Sequence, residues 1–341
     1  MVNSLILAID TSCDDTSAAV VEDGRTVLSS VVYGQDEIHR RYGGVVPEVA
    51  SRQHTEMIHS TVTAALTQSG TELNQLSAIA VCHGPGLIGC LIVGTSFAKA
   101  AAYAAGLPLI GVNHLEGHIC SVFLSREPVF PHISLVISGG HTSLYLVSDM
   151  GGYEEIGRTR DDAAGEAYDK VAKMLGLGYP GGPVIDKLAK AGNPKAVHFP
   201  RALIKGTLDF SFSGLKTSVR NHLLSEKNRS TSIEDVCASF QAAVTETITT
   251  KLLWASEIYG VSTLSIAGGV AANEGLRLRL LSLKGMRVLL PPKELCTDNA
   301  AMIGAVADYY FKRNLMSDLT LNPKACLPVT ANCGQLSPQQ L

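Results

Sequence analysis

Two histidines four residues apart are the part of the sequence best suited to metal chemistry. His114 and His118 lie in the segment Asn113-His114-Leu115-Glu116-Gly117-His118. If this segment is helical, the spacing places both imidazoles on one face, as a divalent metal requires. Asp298 is the candidate third ligand, although the spacing alone does not join it to the histidines. The alternative for Asp298 is a carboxylate at the start of a helix, where the helix dipole favours negative charge.

The histidine pair does not match the motif of a zinc metalloprotease. In that motif, H-E-x-x-H, the glutamate directly follows the first histidine. Here Glu116 stands two positions after His114, about 200° around a helix of roughly 3.6 residues per turn. Its carboxylate should point away from a metal held by the two histidines, so we reject a protease.

Two polar turns, one in each half of the chain, have the residue types that bind phosphate. The first is Asp10-Thr11-Ser12-Cys13-Asp14-Asp15-Thr16, and the second is Ile137-Ser138-Gly139-Gly140-His141-Thr142. A tight turn between strands directs backbone N–H groups and small hydroxyls to one point, which suits phosphate oxygens. Asp14 and Asp15 could hold a metal ion or a water molecule beside them. If the two turns face each other, they would hold a phosphate-bearing ligand between them. The alternative is that both are ordinary hairpins with polar turn residues.

Glycine-rich segments and carboxylates later in the chain could bind a nucleoside. Gly268 to Asn273 follows a strand and opens a helix, so the backbone can approach a ring or sugar. The segment is not G-x-G-x-x-G, and Asn273 could equally cap the helix. Asp169 and Asp186, beside a wall lined by Gly181 and Gly182, could accept hydrogen bonds from sugar hydroxyls or from a substrate amine. Charges at a helix start and an exposed turn are the alternative.

The hydrophobic pattern predicts the same order of elements in both halves of the chain. Each half begins with strand, turn, strand and strand, and then continues with helices and further strands, which favours an internally duplicated α/β architecture. We predict an N-terminal lobe, residues 1–130, joined by a C-terminal helix, 297–315. We also predict a C-terminal lobe over residues 131–296 and an irregular tail over residues 322–341.

Composition limits the class of protein. The chain has 341 residues, 46% hydrophobic and 17% charged, with a net charge of −3. These values exclude a disordered chain and argue against a stand-alone nucleic-acid binder, although a local basic face stays open. The sequence offers neither a signal peptide nor an apolar run long enough to span a membrane. We therefore expect a cytoplasmic protein.

The motifs occur together in one order that resembles the bacterial tRNA N6-adenosine threonylcarbamoyltransferases, over roughly residues 4–315. The segments that carry the resemblance are Asp10 to Thr16, His114 to His118, Val136 to Thr142, Asp161 to Lys170, Tyr179 to Pro183, Gly268 to Asn273 and Thr297 to Asn299. The resemblance implies the actin/Hsp70/sugar-kinase (ASKHA) fold, with two ribonuclease-H-like lobes around a nucleotide cleft.

The resemblance also implies an activity and partners. Family members move the threonylcarbamoyl group from threonylcarbamoyl-adenylate to N6 of the adenosine 3′ of the anticodon in tRNAs reading ANN codons (t6A). The partners so implied are tRNA, an inactive paralogue of the same fold, a small P-loop ATPase and the synthase that makes the adenylate. A non-catalytic nucleotide-binding scaffold and a small-metabolite kinase of the same fold stay open as alternatives.

The site residues follow from the matching motifs. His114, His118 and Asp298 would hold one divalent metal, Fe2+ in preference to Zn2+. The substrate would contact Val136, Ile137, Ser138, Gly139, Gly140, Asp169, Gly182 and Asn273, with Asp186 at the ribose; Asp14 and Asp15 belong to the phosphate-side turn. The motifs name no catalytic base. Family members usually have Glu where Asp10 and Asp15 stand here, so the roles of these two residues are open.

Electrostatics set an expectation for tRNA. A chain of net charge −3 should bind tRNA weakly by itself and depend on a local basic strip or on a partner's surface. We suggest helix 47–69 as the docking helix for the paralogue. Basic residues that could contribute to a tRNA face, with ordinary surface charge as the alternative for most, are Arg40, Arg41, Arg52, Lys205, Lys216, Arg220, Arg277 and Arg279.

Overall fold

The computed structural model describes residues 3–204, 206–226 and 230–329. The chain divides into two compact units. Unit 1 consists of Met1–Pro128, Asp149–Tyr153 and Asp298–Leu341, and unit 2 of Val129–Ser148 and Glu154–Thr297. The predicted irregular tail is described only to residue 329, and residues 322–329 contain neither helix nor strand.

Unit 1 contains a five-stranded sheet in the order β3-β2-β1-β4-β5. The central strand β1 pairs antiparallel with β2 and parallel with β4. The strands are β1 (Leu5–Asp10), β2 (Asp15–Glu22), β3 (Thr26–Gly34), β4 (Ala78–Gly84) and β5 (Leu109–Asn113). The helices are α1 (Asp36–Arg40), α2 (Pro47–Ser69), α3 (Ile88–Ala105), α4 (His114–Cys120) and α10 (Ala300–Lys312).

Both faces of this sheet are covered, which explains why its central strands read as unbroken apolar runs. Leu7 and Ile9 of β1 face a cluster with Ile58 of α2 and Ala98 of α3. The alternate residue Ala8 faces α10, where a Cβ at Gly304 would come within 3.5 Å of the Ala8 Cβ. The sheet is therefore a rigid layer between two layers of helices.

Unit 2 contains a second five-stranded sheet in the order β10-β9-β6-β7-β8. Its central strand β6 pairs antiparallel with β7 and parallel with β9, as β1 does with β2 and β4. The strands are β6 (His132–Ile137), β7 (Thr142–Asp149), β8 (Gly152–Arg158), β9 (Thr263–Ala267) and β10 (Arg287–Leu289). The helices are α5 (Ala164–Met174), α6 (Gly181–Ala189), α7 (Ser213–Leu224), α8 (Ile233–Tyr259) and α9 (Glu274–Leu281). The two sheets thus repeat one topology, as the duplicated pattern predicts.

Helix ends follow local rules at two long helices. Pro47 opens α2, where its missing N–H costs nothing, and Gly70 ends it in the left-handed region at φ 66°. The Ser232 side chain accepts a hydrogen bond from Asp235 N at the start of α8, and Gly260 ends that helix at φ 65°.

Three of the described helices, α1, α6 and α7, were not predicted from the sequence. Gly181, Gly182 and Pro183 open α6, and these residue types favour turns unless packing fixes them as a first helical turn. A Cβ at Gly181 would lie 2.5 Å from the Ala172 Cβ, so close packing of α6 on α5 requires glycine there. The glycine pair is therefore in part a helix-packing feature.

Among the described residues, one helix, α3, is long and apolar enough to cross a membrane by length and composition alone. A single such helix is weak evidence for a span, because core helices pass the same test. In this structure Leu91, Ala98 and Ala102 of α3 are buried.

Candidate functional site

The histidine pair lies on α4, which begins directly after β5. Asn113 caps this helix, because its Oδ1 accepts hydrogen bonds from Leu115 N at 2.9 Å and Glu116 N at 3.4 Å. His114 and His118 are buried, and their ring centroids lie 4.7 Å apart. The helix therefore places both imidazoles on one face, one turn apart.

Asp298 lies against both histidines. Its Oδ1 is 3.1 Å from His118 Nε2 and 3.5 Å from His114 Nε2. The residue stands two positions before α10, and the next residue, Asn299, caps that helix by accepting from Met302 N at 3.1 Å. Asp298 is thus held at a helix start, but its carboxylate contacts the histidines.

The three side chains have a donor set that fits a transition-metal ion. Two imidazole nitrogens and one carboxylate oxygen lie within 4.8 Å of one another, so His114, His118 and Asp298 could hold one metal ion. Two histidines and one carboxylate suit Fe2+ and also Zn2+, and three protein ligands leave coordination positions open for substrate.

Asp10 orients the first histidine, a contact that the sequence did not predict. Its Oδ2 is 3.1 Å from His114 Nδ1, and its Oδ1 accepts from Ser12 N at 2.9 Å. The Ser12 hydroxyl is also 3.1 Å from His114 Nδ1, and Cys82 completes a second group with Asp10 and His114. A carboxylate on the far nitrogen of a metal-binding histidine fixes the tautomer and leaves Nε2 for the metal.

The carboxylates and histidines set one another's charge. Burial alone lowers the pKa of His114, but the Asp298 and Asp10 carboxylates outweigh burial and hold this pKa well above its ordinary value. Burial lowers the pKa of His118. Burial would raise the pKa of Asp298, but His114 and His118 hold it well below its ordinary value. These shifts favour the ionised form of Asp298 and a proton on His114, and a metal ion would compete with that proton because it binds the neutral imidazole.

The phosphate-side turn is short and acidic. Asp15 is already the first residue of β2, so the turn itself spans residues 11–14. Burial raises the pKa of Asp15 to about 8, helped by the charges of Asp298 and Asp14, and burial also raises the pKa of Asp14. The raised pKa values mean that negative charge on both residues is unfavourable here, so a cation nearby would favour the ionised forms of Asp14 and Asp15, and an anion would not.

Helix α2 holds this turn in place through His54. The buried His54 ring has its Nδ1 2.7 Å from Thr16 Oγ1 and its Nε2 2.9 Å from the Cys13 carbonyl oxygen. Helix α3 approaches from the other direction, since a Cβ at Gly94 would lie 2.3 Å from Thr11 Oγ1. The positions of Asp14 and Asp15 are thereby fixed by two helices.

In unit 2, the second turn follows β6. Ser138 N donates to the His141 carbonyl at 2.8 Å, and Ser138 Oγ accepts from His141 N at 3.1 Å. Val136 and Ile137 are buried in the sheet, so only their backbone could contact a ligand. Gly139 and Gly140 are exposed, and apart from the glycine itself and its two chain neighbours, no heavy atom of the described residues lies within 4 Å of a Cβ built on either.

The remaining candidate substrate residues take part in helix caps. Asp169 Oδ1 accepts from Gly181 N at 2.7 Å, at the start of α6, and Gly182 follows it. Asn273 Oδ1 accepts from Leu276 N at 2.8 Å and so caps α9, the alternative that the sequence left open. The cap at Asn273 therefore agrees with the alternative drawn from the sequence, whereas the contact of Asp169 with the start of α6 was not predicted.

Asp186 also caps α9, which the sequence did not indicate. Its carboxylate accepts from Glu274 N at 2.9 Å, Gly275 N at 3.2 Å and Gln241 Nε2 at 3.0 Å. Gln241 Oε1 in turn accepts from Asn273 Nδ2 at 2.8 Å. Gln241 lies in the middle of α8, where no local pattern marks it, and it joins Asp186 to Asn273.

Several of the basic residues proposed for a tRNA face are engaged within unit 2. Lys216 Nζ is 2.7 Å from Asp162 Oδ2, and Arg279 Nε donates to Thr249 Oγ1 at 3.2 Å. Arg277 donates to the Pro291 carbonyl at 3.2 Å. Lys205 lies outside the described residues.

Comparison with known proteins decides the family. The family model for tRNA N6-adenosine threonylcarbamoyltransferase (TsaD) matches residues 26–305. This chain belongs to that family. A tRNA N6-adenosine threonylcarbamoyltransferase from Thermodesulfovibrio yellowstonii is 54% identical over 333 residues, which covers 95% of this chain and all of the relative. Family members of the same name from Geotalea uraniireducens and Clostridioides difficile are 50% and 49% identical, over 98% and 94% of this chain and 99% and 97% of the relatives.

Solved structures show the fold of this family member. HypF of T. kodakarensis has a TM-score of 0.61 at 14% identity, over 91% of this chain and 48% of its own. Component A of (R)-2-hydroxyglutaryl-CoA dehydratase from Acidaminococcus fermentans has a TM-score of 0.55 at 15% identity, over 92% of this chain and 99% of its own. At such identities the likeness concerns the fold alone, and it confirms the predicted α/β ASKHA fold.

Proposed function

We propose that this chain transfers the threonylcarbamoyl group from threonylcarbamoyl-adenylate to N6 of the adenosine 3′ of the anticodon in tRNAs that read ANN codons. The observation that carries the proposal is the convergence of His114, His118 and Asp298 in a chain of the threonylcarbamoyltransferase family. A nucleotide-binding scaffold would have no need of three converging ligands.

We further propose that these three residues hold one divalent ion, Fe2+ in preference to Zn2+. The set of two imidazoles and one carboxylate supports Fe2+, because that set with open positions is typical of non-haem iron sites. Bound there, the ion would supply a Lewis acid for the carbamoyl carbonyl or a point of attachment for the threonyl carboxylate. Asp10 serves this function by holding the His114 ring with Nε2 toward Asp298.

The substrate residues are proposed in unit 2. The exposed Gly139 and Gly140 offer backbone N–H groups, Ser138 offers a hydroxyl, and Val136 and Ile137 contribute backbone only. Asp186 already accepts three hydrogen bonds, and a carboxylate has about four acceptor sites, so one is left for a ribose hydroxyl.

Asn273 can cap its helix and bind substrate together. Its amide has two N–H donors, of which one goes to Gln241. With Asp169 and Gly182 it forms the rest of the proposed substrate set, while Asp14 and Asp15 form the phosphate-side turn. The attacking adenosine amine is a weak nucleophile, so positioning by these groups and stabilisation of charge would account for most of the catalysis.

The proposed partners are tRNA, an inactive paralogue of the same fold and a small P-loop ATPase, in the cytoplasm. We propose that the paralogue docks on α2 and that the chain alone binds tRNA weakly. The net charge of −3 and the internal contacts of Lys216, Arg277 and Arg279 support weak binding. Tight, salt-resistant binding of tRNA by the isolated chain would contradict this.

The test is threonylcarbamoylation of tRNA by the purified chain with its partners and the adenylate supplied. His114→Ala should remove both bound metal and transfer, whereas His198→Ala, at an exposed histidine in unit 2, should leave both unchanged. Full transfer by His114→Ala without metal would refute the proposal. ATP-dependent phosphorylation of a small metabolite would favour a kinase, and nucleotide binding without turnover would favour a scaffold.

A further inference from the structure

Helix α4 has a second buried polar group, on the side opposite the histidines. Glu116 is completely buried, and its Oε2 accepts a hydrogen bond from the Tyr310 hydroxyl at 2.6 Å. Tyr310 lies on α10 and is 5% exposed. The other carboxyl oxygen, Oε1, is buried and has no hydrogen-bond partner among the described residues. The proposed reaction gives Glu116 no part, since its side chain points away from the candidate metal ligands.

Burying a carboxyl group is costly unless hydrogen bonds satisfy it. An apolar side chain would fill this position without that cost, so packing alone does not explain a glutamate here. A short hydrogen bond differs from apolar packing because it is directional. It fixes the rotation of α4 about its own axis and its position along α10, whereas apolar contacts tolerate small displacements.

The two helices joined by this bond also position the three candidate ligands. His114 and His118 flank Glu116 on α4, and Asp298 stands two residues before α10 begins. The helices pack closely at Gly117, where a Cβ would lie 3.1 Å from Met302 Cγ and from Ile303 Cδ1. The position of α4 on α10 therefore sets the distances of 3.1 and 3.5 Å between the histidine Nε2 atoms and Asp298.

We propose that Glu116 and Tyr310 are positioning residues for the candidate metal centre, because their hydrogen bond fixes α4 on α10 and so holds the histidine pair against Asp298. The inference rests on the proposed function, since it assumes that His114, His118 and Asp298 bind a divalent ion. It assigns the pair a role in the affinity and geometry of that ion, and not in contact with substrate.

In the experiment, Co2+ is titrated into the metal-free, full-length protein. Calorimetry measures the affinity for Co2+, and the visible ligand-field spectrum reports the coordination geometry. Tyr310→Phe and Glu116→Leu should each weaken Co2+ binding about tenfold, at the lower end of what loss of a ligand-orienting group costs, and should change the spectrum. The variant that combines Tyr310→Phe with Glu116→Leu should bind Co2+ no more weakly than either single variant. Glu116→Gln should stay within about twofold of the wild type, since its amide oxygen still accepts from Tyr310.

Tyr309→Phe is the matched control. Tyr309 is the neighbouring tyrosine on α10, but its hydroxyl donates to the Met150 carbonyl at 2.6 Å and not to Glu116. This variant should keep the wild-type affinity and spectrum. Thermal unfolding of every metal-free variant separates lost stability from lost geometry, and if Tyr310→Phe does not fold, the spectrum of Glu116→Leu decides.

The outcomes distinguish this inference from the function on which it rests. If the wild type does not bind one equivalent of Co2+, or if His118→Ala binds it equally well, the proposed metal centre fails. If the wild type binds and His118→Ala does not, but Tyr310→Phe and Glu116→Leu keep the wild-type affinity and spectrum, only the positioning role fails. If Tyr310→Phe and Glu116→Leu lower the thermal stability but leave the Co2+ spectrum unchanged, the positioning role is likewise overturned.

Discussion

Replacing Asp10 with asparagine should weaken metal binding by reversing the tautomer of His114. The Asp10 carboxylate accepts from two groups at once, Ser12 N at 2.9 Å and His114 Nδ1 at 3.1 Å. An asparagine has one oxygen for these two contacts. If the oxygen stays on Ser12 N, the amide NH2 faces His114 Nδ1 and makes it an acceptor, which places the proton on Nε2, where the metal should bind.

The size of this effect follows from what such orienting groups contribute elsewhere. Loss of the partner of a metal-binding histidine costs about 10- to 100-fold in metal affinity, which is about 1.4 to 2.7 kcal/mol. We expect the upper half of this range, because Asp10 is 1% exposed and water cannot replace it. Calorimetric titration of Zn2+ into metal-free wild type and Asp10→Asn at neutral pH measures the difference.

Asp14→Asn separates the tautomer from simple loss of charge. It removes a nearby negative charge, but the side chains that contact the His114 ring are those of Ser12, Asp10 and Asp298, and not that of Asp14. This variant should therefore weaken Zn2+ binding less than Asp10→Asn does. Equal losses for both variants would show that long-range charge alone is at work, and wild-type affinity in Asp10→Asn would refute the orienting role of Asp10.

Two predictions concern the stability of unit 2. Asn273→Ala removes the cap of α9 at Leu276 N and should lower the free energy of unfolding by about 1 kcal/mol, whereas Asn273→Ser should recover most of the loss; equal denaturation midpoints for all three proteins would contradict this. Burial lowers the pKa of His132 from 6.5 to about 4. Above pH 6.5 the residue is neutral both folded and unfolded, but as the pH falls only the unfolded chain takes up the proton, so stability is lost from about pH 6.5 down to about pH 4. At pH 5 the free energy of unfolding should be about 2 kcal/mol lower than at pH 7 because of His132. Urea unfolding at the two pH values should show that His132→Gln removes most of this difference. An unchanged pH dependence in His132→Gln would refute this role of His132.

The parts of the site that sequence could predict are those fixed within one helical turn. The spacing of His114 and His118 is enough to place both rings on one face, and the same geometry turns Glu116 to the other side, as the structure has it. The capping of α9 by Asn273 is also a local event, which residue type and position indicate.

No local sequence pattern predicts the contacts between segments that lie far apart in the chain. Asp298 meets His118 across 180 residues, and Asp10 meets His114 across 104. In the sequence each of these carboxylates is only an acid next to a strand or helix end. The resemblance to a family named Asp298 as a ligand, but it gave Asp10 no contact with His114. That contact appeared only when β1 and β5 were placed in one sheet.

Helices whose first residues favour turns were also missed. α6 begins with two glycines and a proline, and α7 with Ser213 and Gly214, so neither start has the local pattern of a helix. Tertiary contacts fix both. Asp169 accepts from Gly181 N at the start of α6, and Asp161 accepts from Ser213 N at the start of α7, at 3.2 Å.

The charge around the candidate metal centre bears on the order in which ligands bind. The carboxyl groups near this centre are those of Asp10, Asp14, Asp15 and Asp298. Burial, together with the nearby charges of Asp298, Asp14 and Asp10, raises the pKa of Asp15 to about 8. A phosphate-bearing adenylate and a tRNA are both anions, and the ionised carboxylates of this group repel them. A proton on His114 would offset only part of this charge, and metal binding would remove that proton. A divalent cation held by His114, His118 and Asp298 would reverse the local field, so we expect anionic ligands to bind after the metal and not before it.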